Sequence, residues 1–411
     1  MDKRFFVDIG AYVLLITIAC ASYAHAQTRT DDISAGGFIF KPSITISEER
    51  SDNIYTSPNN EKADFITRIK PEVMIERSGL GKNKLEFKLD VEQALYRDSS
   101  DDNYLNAHAA IKTRYITGPA SRIDFAADYA RLHAERGDDE ADPTAVADEP
   151  IGYDRYHAKA SLTHDFGVWS IEPRVDYMRY DYDDGSRISG ALLEQDTRDR
   201  TEFTPGARLS YAATKETSLF ADGDMGSRQY DMNAPNDRDS VGGSYLLGIR
   251  HQPQDNLLIE AAGGYMNRDY SDLAFDTINT WGAQGRLEWI YAPESIIKLN
   301  IKRDIAEVTD ANVGGAVRTN ILASISKLLA PDWTGEFSLR YMNRDYRGGF
   351  GATSGAQDRE DHYYKVGLTT EYMLTKYLAL LGQISHANNS SNLDTAEYSE
   401  NVVMIGARVG F

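Results

Sequence analysis

The sequence predicts an all-β fold: a transmembrane, antiparallel, up-and-down β-barrel of about eighteen strands over residues 38–411, with both termini periplasmic. Three observations predict it. Segment after segment alternates apolar and ionic residues with a period of two, which places one kind on each face of a strand. The connections run tight, then long, then tight again, a pattern that suits a barrel in a bilayer, with short turns on one side and loops on the other. The last segment puts Val403, Ile405, Ala407, Val409 and Phe411 on one face and ends on that aromatic residue, read as the assembly signal.

Residues 1–26 are expected to be a signal peptide. Lys3 and Arg4 precede an apolar run from Gly10 to Ala24, and Ala24-His25-Ala26 supplies small residues at −3 and −1 of a cleavage site before Gln27. That run is roughly 15 residues, short of the ~20 a spanning helix needs. An uncleaved anchor and a lipoprotein built on Cys20 are the alternatives; Thr17-Ile18-Ala19 lacks the usual Leu for the latter. Residues 27–37 are then a short periplasmic segment. Cys20 is the sole cysteine, so the exported chain carries no thiol chemistry.

Strands are expected at 38–50, 64–77, 82–97, 103–116, 120–134, 153–165, 167–182, 198–213, 216–231, 239–252, 256–270, 276–292, 295–308, 317–330, 333–347, 360–374, 377–390 and 398–411. The second sets Phe65, Ile69, Val73 and Ile75 against Arg68, Lys70, Glu72 and Glu76. In the third, Leu85, Phe87, Leu89, Val91 and Leu95 oppose Lys84, Glu86, Lys88, Asp90 and Glu92. Trp169, Ile171, Val175 and Tyr177 oppose Glu172, Arg174 and Asp176 in the seventh. Trp281, Leu287, Trp289 and Tyr291 oppose Gln284, Arg286 and Glu288 in the twelfth, and Phe337, Leu339 and Tyr341 oppose Glu336, Arg340 and Arg344 in the fifteenth. Tight turns close every second gap, among them Gly79-Leu80-Gly81, Thr117-Gly118-Pro119, Gln252-Pro253-Gln254 and Ala330-Pro331-Asp332. Two segments are irregular: 377–390, where either parity serves, and the Gly-rich 239–252. Sixteen strands is therefore the alternative count.

Composition narrows the function. A net charge of −19 argues against nucleic acid as a partner, because phosphate binding needs a basic face. Mean hydropathy is −0.48, as expected when only every second residue meets lipid. A barrel of this size encloses an aqueous lumen. Its interleaved acids and bases give no single-sign field to trap a passing solute.

Five upward strands end on variants of one phrase: Ala94-Leu95-Tyr96-Arg97-Asp98, Tyr177-Met178-Arg179-Tyr180-Asp181, Arg228-Gln229-Tyr230-Asp231, Tyr265-Met266-Asn267-Arg268-Asp269-Tyr270 and Tyr341-Met342-Asn343-Arg344-Asp345-Tyr346. One reading is an interfacial aromatic girdle. The other is a ring of aromatic and guanidinium groups inside the outer mouth, able to hold a sugar chain loosely. On that reading the lumen candidates are Arg174, Asp176, Tyr180, Arg208, Arg268, Tyr270, Arg286, Arg340, Arg344 and Tyr346.

No catalytic, cofactor or metal site emerges. The histidines beyond His25 are scattered, without metal-ligand spacing. In Ser385-His386-Ala387-Asn388 the first two side chains point to opposite faces, so they cannot act as nucleophile and base. The acidic loops match no calcium-loop pattern. The longest, 136–152, is a candidate to fold inward and restrict the pore.

The first hairpin carries a family resemblance. Gly36-Gly37-Phe38-Ile39-Phe40-Lys41-Pro42-Ser43, then Ser51-Asp52-Asn53-Ile54-Tyr55, Asp64-Phe65-Ile66 and Ile69-Lys70-Pro71-Glu72-Val73 resemble the opening of outer-membrane β-barrel porins associated with exopolysaccharide systems of Gram-negative bacteria. The resemblance implies residence in the outer membrane and a passive conduit for secreted polysaccharide. A general or substrate-selective porin for small solutes is the alternative, and a structural or adhesive barrel a third. Implied partners are outer-membrane lipid and lipopolysaccharide, the barrel assembly machinery, a periplasmic polysaccharide export protein and the polysaccharide itself.

Overall fold

The computed structural model describes residues 33–77, 79–134, 147–186, 190–233, 237–308, 313–349 and 359–410. The expected signal peptide, the terminal Phe411 and most of the 136–152 loop lie outside them.

Eighteen strands build the wall: β1 Phe38–Ser51, β2 Asp64–Arg77, β3 Lys84–Tyr96, β4 Tyr104–Gly118, β5 Ser121–His133, β6 Gly152–Phe166, β7 Trp169–Tyr182, β8 Arg200–Ala212 and β9 Thr217–Tyr230, followed by β10 Ser240–Gln254, β11 Leu257–Tyr270, β12 Ile278–Ala292, β13 Ser295–Ala306, β14 Val313–Ala330, β15 Trp333–Gly349, β16 Glu360–Met373, β17 Leu378–Ser391 and β18 Tyr398–Gly410. Each pairs antiparallel with its sequence neighbour. β18 returns to β1 from Ser43↔Gly410 to Ser51↔Val402, so the sheet closes and no edge is left. Closure satisfies the backbone inside hydrocarbon, where water cannot do so. Strands ~4.8 Å apart and tilted ~40° put the backbone wall roughly 35 Å across.

The start of β1 and the end of β18 share one end of the barrel with the tight turns. Positive φ at Gly79 (75°), Gly81 (63°) and Gly167 (71°) lets the chain reverse there without a Cβ clash. A short strand, Ile33–Ala35, doubles back on β1 through Gly36 and Gly37, with φ of 59° and 79°. The opposite end carries the longer connections, one of which holds its own small ladder, Leu192↔Ser186 and Leu193↔Gly185.

The oily face is outermost, inverting the usual arrangement. Leu89, Leu247, Ile259, Leu339, Ile384 and Ile405 are all exposed. Aromatic residues flank this band at both rims. Trp169 and Tyr211 lie 4.9 Å apart near the tight turns, and Tyr129 and Tyr156 lie 5.1 Å apart near the long connections. That is a lipid-facing belt with two girdles.

The two irregular segments now have a parity. β17 turns Leu380 and Ile384 outward and buries Ala379, Ala387 and Asn389. β10 turns Val241, Tyr245, Leu247 and Ile249 outward, leaving Ser240, Gly242, Leu246 and Gly248 inside. β14 starts at Val313, earlier than the expected 317, because Val313↔Gly349 and Gly315↔Arg347 extend the ladder. Gly314-Gly315 carries no side chains to alternate, so the pattern could not reveal those pairs.

Candidate functional site

The interior is a web of ion pairs, several of which reach over intervening strands. Arg174 on β7 passes over β8 to Asp222 on β9. Gly206 on β8 makes that crossing possible: a Cβ there would sit 3.2 Å from Arg174 Nε and 2.8 Å from the Gly223 carbonyl oxygen. Arg208 donates from Nε to Asp222 Oδ2 at 2.6 Å and from Nη1 to Glu260 Oε1, on β11, at 3.0 Å. Asp176 faces His157 Nε2 at 3.2 Å, and the other ring nitrogen lies 3.1 Å from Asp128. Arg155 donates to that same Asp128 at 2.9 Å. Charged groups withdrawn from water need such pairing to be tolerated.

At the long-connection mouth the repeated phrase divides between the two faces. Tyr177 and Tyr265, its first tyrosines, are exposed to the lipid side, while Tyr180 and Tyr346, its last, are buried inside. The repeat therefore supplies tyrosines to both faces of the wall. The arginine also follows its offset. In Tyr177-Met178-Arg179 it points outward and binds Asp231 on the far side of β8, at 2.6 Å. That contact holds the Asp231 carboxyl below its usual range. One residue later in the phrase, Arg268 and Arg344 point inward, and Arg344 is buried.

Of the lumen candidates, Arg174 and Arg208 meet at Asp222. Arg344 and Tyr346 meet at the buried Asp361, at 3.8 and 3.2 Å. Arg359 joins them at 2.7 Å and lies over the Tyr346 ring at 4.5 Å. Tyr180 lies beneath Arg200 at 4.1 Å. Arg268 donates to Ser240 Oγ at 3.0 Å, and Tyr270 packs on Phe275 at 5.5 Å. Arg340 bonds Asn320 Oδ1 at 3.3 Å beneath Tyr363, and Arg286 pairs along its own strand with Glu288 at 2.8 Å. The candidates thus form several clusters around the wall, not one pocket.

Sequence reasoning missed the group that spans the mouth. Arg238, between β9 and β10, donates to the carbonyl oxygens of Thr197 at 2.6 Å and Val308 at 2.8 Å. Its Nη1 lies 3.4 Å from Glu307, which also accepts from Arg228 Nη1 at 3.0 Å. Three connections distant in sequence are thereby tied together. Arg228 was legible, since it stands in the repeat with inward parity; Arg238 lies outside every expected strand, and Glu307, placed in the expected strand 295–308, falls just past the observed end of β13 at Ala306. The described part of the longest loop packs against the same end, with Ile151 among Tyr153, Tyr180, Tyr182 and Leu193. The catalytic dyad ruled out on parity is split as expected. His386 faces Asn401 at 2.9 Å and lies tilted against Tyr364, with ring centroids 5.8 Å apart, on the outer surface with Ile384.

Over residues 30–411 the sequence matches the family described as "Putative beta-barrel porin 2". No curated protein matches it. Among solved structures it is similar to a mutant ferric enterobactin receptor, PfeA, of Pseudomonas aeruginosa. That match has a TM-score of 0.51 and 10% identity, over 90% of this chain and 80% of that one. It is also similar to the outer membrane protein opdK of the same organism, at TM-score 0.45 and 11% identity, over 90% and 99% of the two chains. At such identities the likeness is one of fold alone.

Proposed function

The chain belongs to that beta-barrel porin family, and from this premise we propose that it is a passive outer-membrane conduit for a secreted polysaccharide. The porin-type channel in the Gram-negative outer membrane is the part that family membership establishes. The polymer is our reading. One observation carries it: tyrosines and arginines recur around the inside of the long-connection mouth, as Tyr180 with Arg200, Tyr346 with Arg359, and Tyr363 with Arg340. Aromatic faces stack on sugar rings and guanidinium forks bond their hydroxyls, each weakly enough for a chain to move on. The rest of the interior mixes both signs of charge and creates no deep electrostatic trap.

In this proposal the tight turns and both termini face the periplasm, where an export protein delivers the polymer, and lipopolysaccharide surrounds the opposite rim. The barrel assembly machinery inserts the chain, and the protein performs no catalysis of its own. A second reading, a selective channel for small solutes, is favoured by the Arg238 tie to Thr197, Glu307 and Val308, which draws three connections together at the mouth. A deletion strain separates the two. Loss of secreted polymer with unchanged small-solute uptake supports the conduit; normal polymer with impaired uptake supports the solute channel.

A further inference from the structure

Four guanidinium groups gather on one side of the long-connection mouth: Arg200, Arg228, Arg238 and Arg268. Two carboxylates stand among them. Glu202 pairs with Arg200 at 2.9 Å and faces Arg228 at 3.4 Å, while Glu307 pairs with Arg228 at 3.0 Å and Arg238 at 3.4 Å. Arg268 pairs with no carboxylate among the described residues; its contact is the Ser240 hydroxyl. It shares the inward face of β11 with Tyr270, across β10 from Arg228.

The β-ladder explains the convergence. Arg228 on β9 faces Ser240 on β10, which faces Tyr270 on β11, and Gly242 lies between Gly226 and Arg268. The inward positions of β10 at this level are thus a serine and a glycine, a low floor between two strands bearing long side chains. A Cβ on Gly242 would meet Arg268 Cβ at 3.2 Å.

Around this floor three polar atoms are buried without a hydrogen-bond partner, Arg268 Nε, Tyr230 Oη and Tyr270 Oη, while Arg228 Nε reaches only Glu202, 3.4 Å away. Tyr230 as a whole is 7% exposed. All three can donate. Leaving buried donors unmade is costly, and a group that only accepts is what would satisfy them. Carboxylate and phosphate are such groups, and their planar or forked oxygens match guanidinium geometry.

We infer that the trough floored by Ser240 and Gly242 is a binding site for one anionic group, a carboxylate or phosphate, carried by a small solute or a sugar unit. Arg268 and Arg228 supply the charge, and Tyr270 and Tyr230 supply neutral donors. Neither polymer export nor solute uptake need hold for the site to exist.

Calorimetry on the detergent-solubilised protein tests this, with D-glucuronate, inorganic phosphate and D-glucose as probes. Glucuronate or phosphate is expected to bind at least tenfold more tightly than glucose. Arg268→Gln should weaken the anion about tenfold or more, and Tyr270→Phe about threefold to tenfold, with glucose unaffected. Preference for glucuronate assigns the site to carboxylates, and the reverse preference to phosphates. Anions that bind no better than glucose, or bind equally to wild type and both variants, overturn the inference. Tyr270→Phe removes a single oxygen and provides the reading if Arg268→Gln fails to fold. Because binding is measured without transport, a failed conduit reading and a failed anion site give different results.

Discussion

Arg174 is an interior side chain whose removal the fold is expected to tolerate. Its partner Asp222 keeps a second cation, Arg208, at 2.6 Å, and the carboxylate that loses its cation on removing Arg174 is the partly solvated Asp224, 3.8 Å away. Partly solvated pairs of this kind contribute ~1 kcal/mol or less. Arg174→Ala should therefore assemble normally and shift the channel toward cations, read as a changed reversal potential in a salt gradient. Asp199, in the connection before β8, is a different case. Burial, with Asp181 and Asp196 nearby, pushes its carboxyl up to about 6 against the opposing bond from the Tyr182 N–H. A folded-state value above the unfolded one stabilises at low pH. The contribution is complete below about 4 and lost as pH rises through about 6. The thermal midpoint should fall across that window, and Asp199→Asn should flatten the profile. Sequence parity located all the inward candidates, yet it could not say which meet. That depended on Gly206 opening a path for Arg174, and on loop residues such as Arg238 that no periodicity marks.

At the scale of a strand, the alternating pattern has direct energetic content. Leu89 in β3 is 49% exposed on the lipid side, so Leu89→Arg places a cation in hydrocarbon at roughly 2–4 kcal/mol. Urea titration of the barrel in vesicles should show that loss, whereas Lys88→Leu on the inner face should not behave in the same way. The seam between β1 and β18 is tight. A Cβ on Gly406 would lie 2.8 Å from the Ile46 carbonyl oxygen and 2.8 Å from Ser47 Cβ. Gly406→Val should slow or block closure, seen as loss of the compact, heat-modifiable band on gels. β2 was legible to the residue, because ionic and apolar positions alternate through most of it, with Ile66 and Met74 the apolar exceptions on the ionic face. β14 was not, because Gly314-Gly315 interrupts the signal while the hydrogen-bond ladder runs on.

For the whole molecule the decisive property is inversion: an oily exterior between aromatic girdles and an ionised interior. Closure of β18 on β1 makes that inversion possible, and the family match over residues 30–411 places it in an outer membrane. Residues 33–410 contain no cysteine, which gives a clean background for single-cysteine scanning. Substituting residues 86–91 of β3 one at a time and labelling in vesicles with a charged, membrane-impermeant thiol reagent tests the claim most directly. The structure predicts reaction at 86, 88 and 90 and protection at 87, 89 and 91. Uniform reaction along the strand, or the opposite alternation, would contradict it.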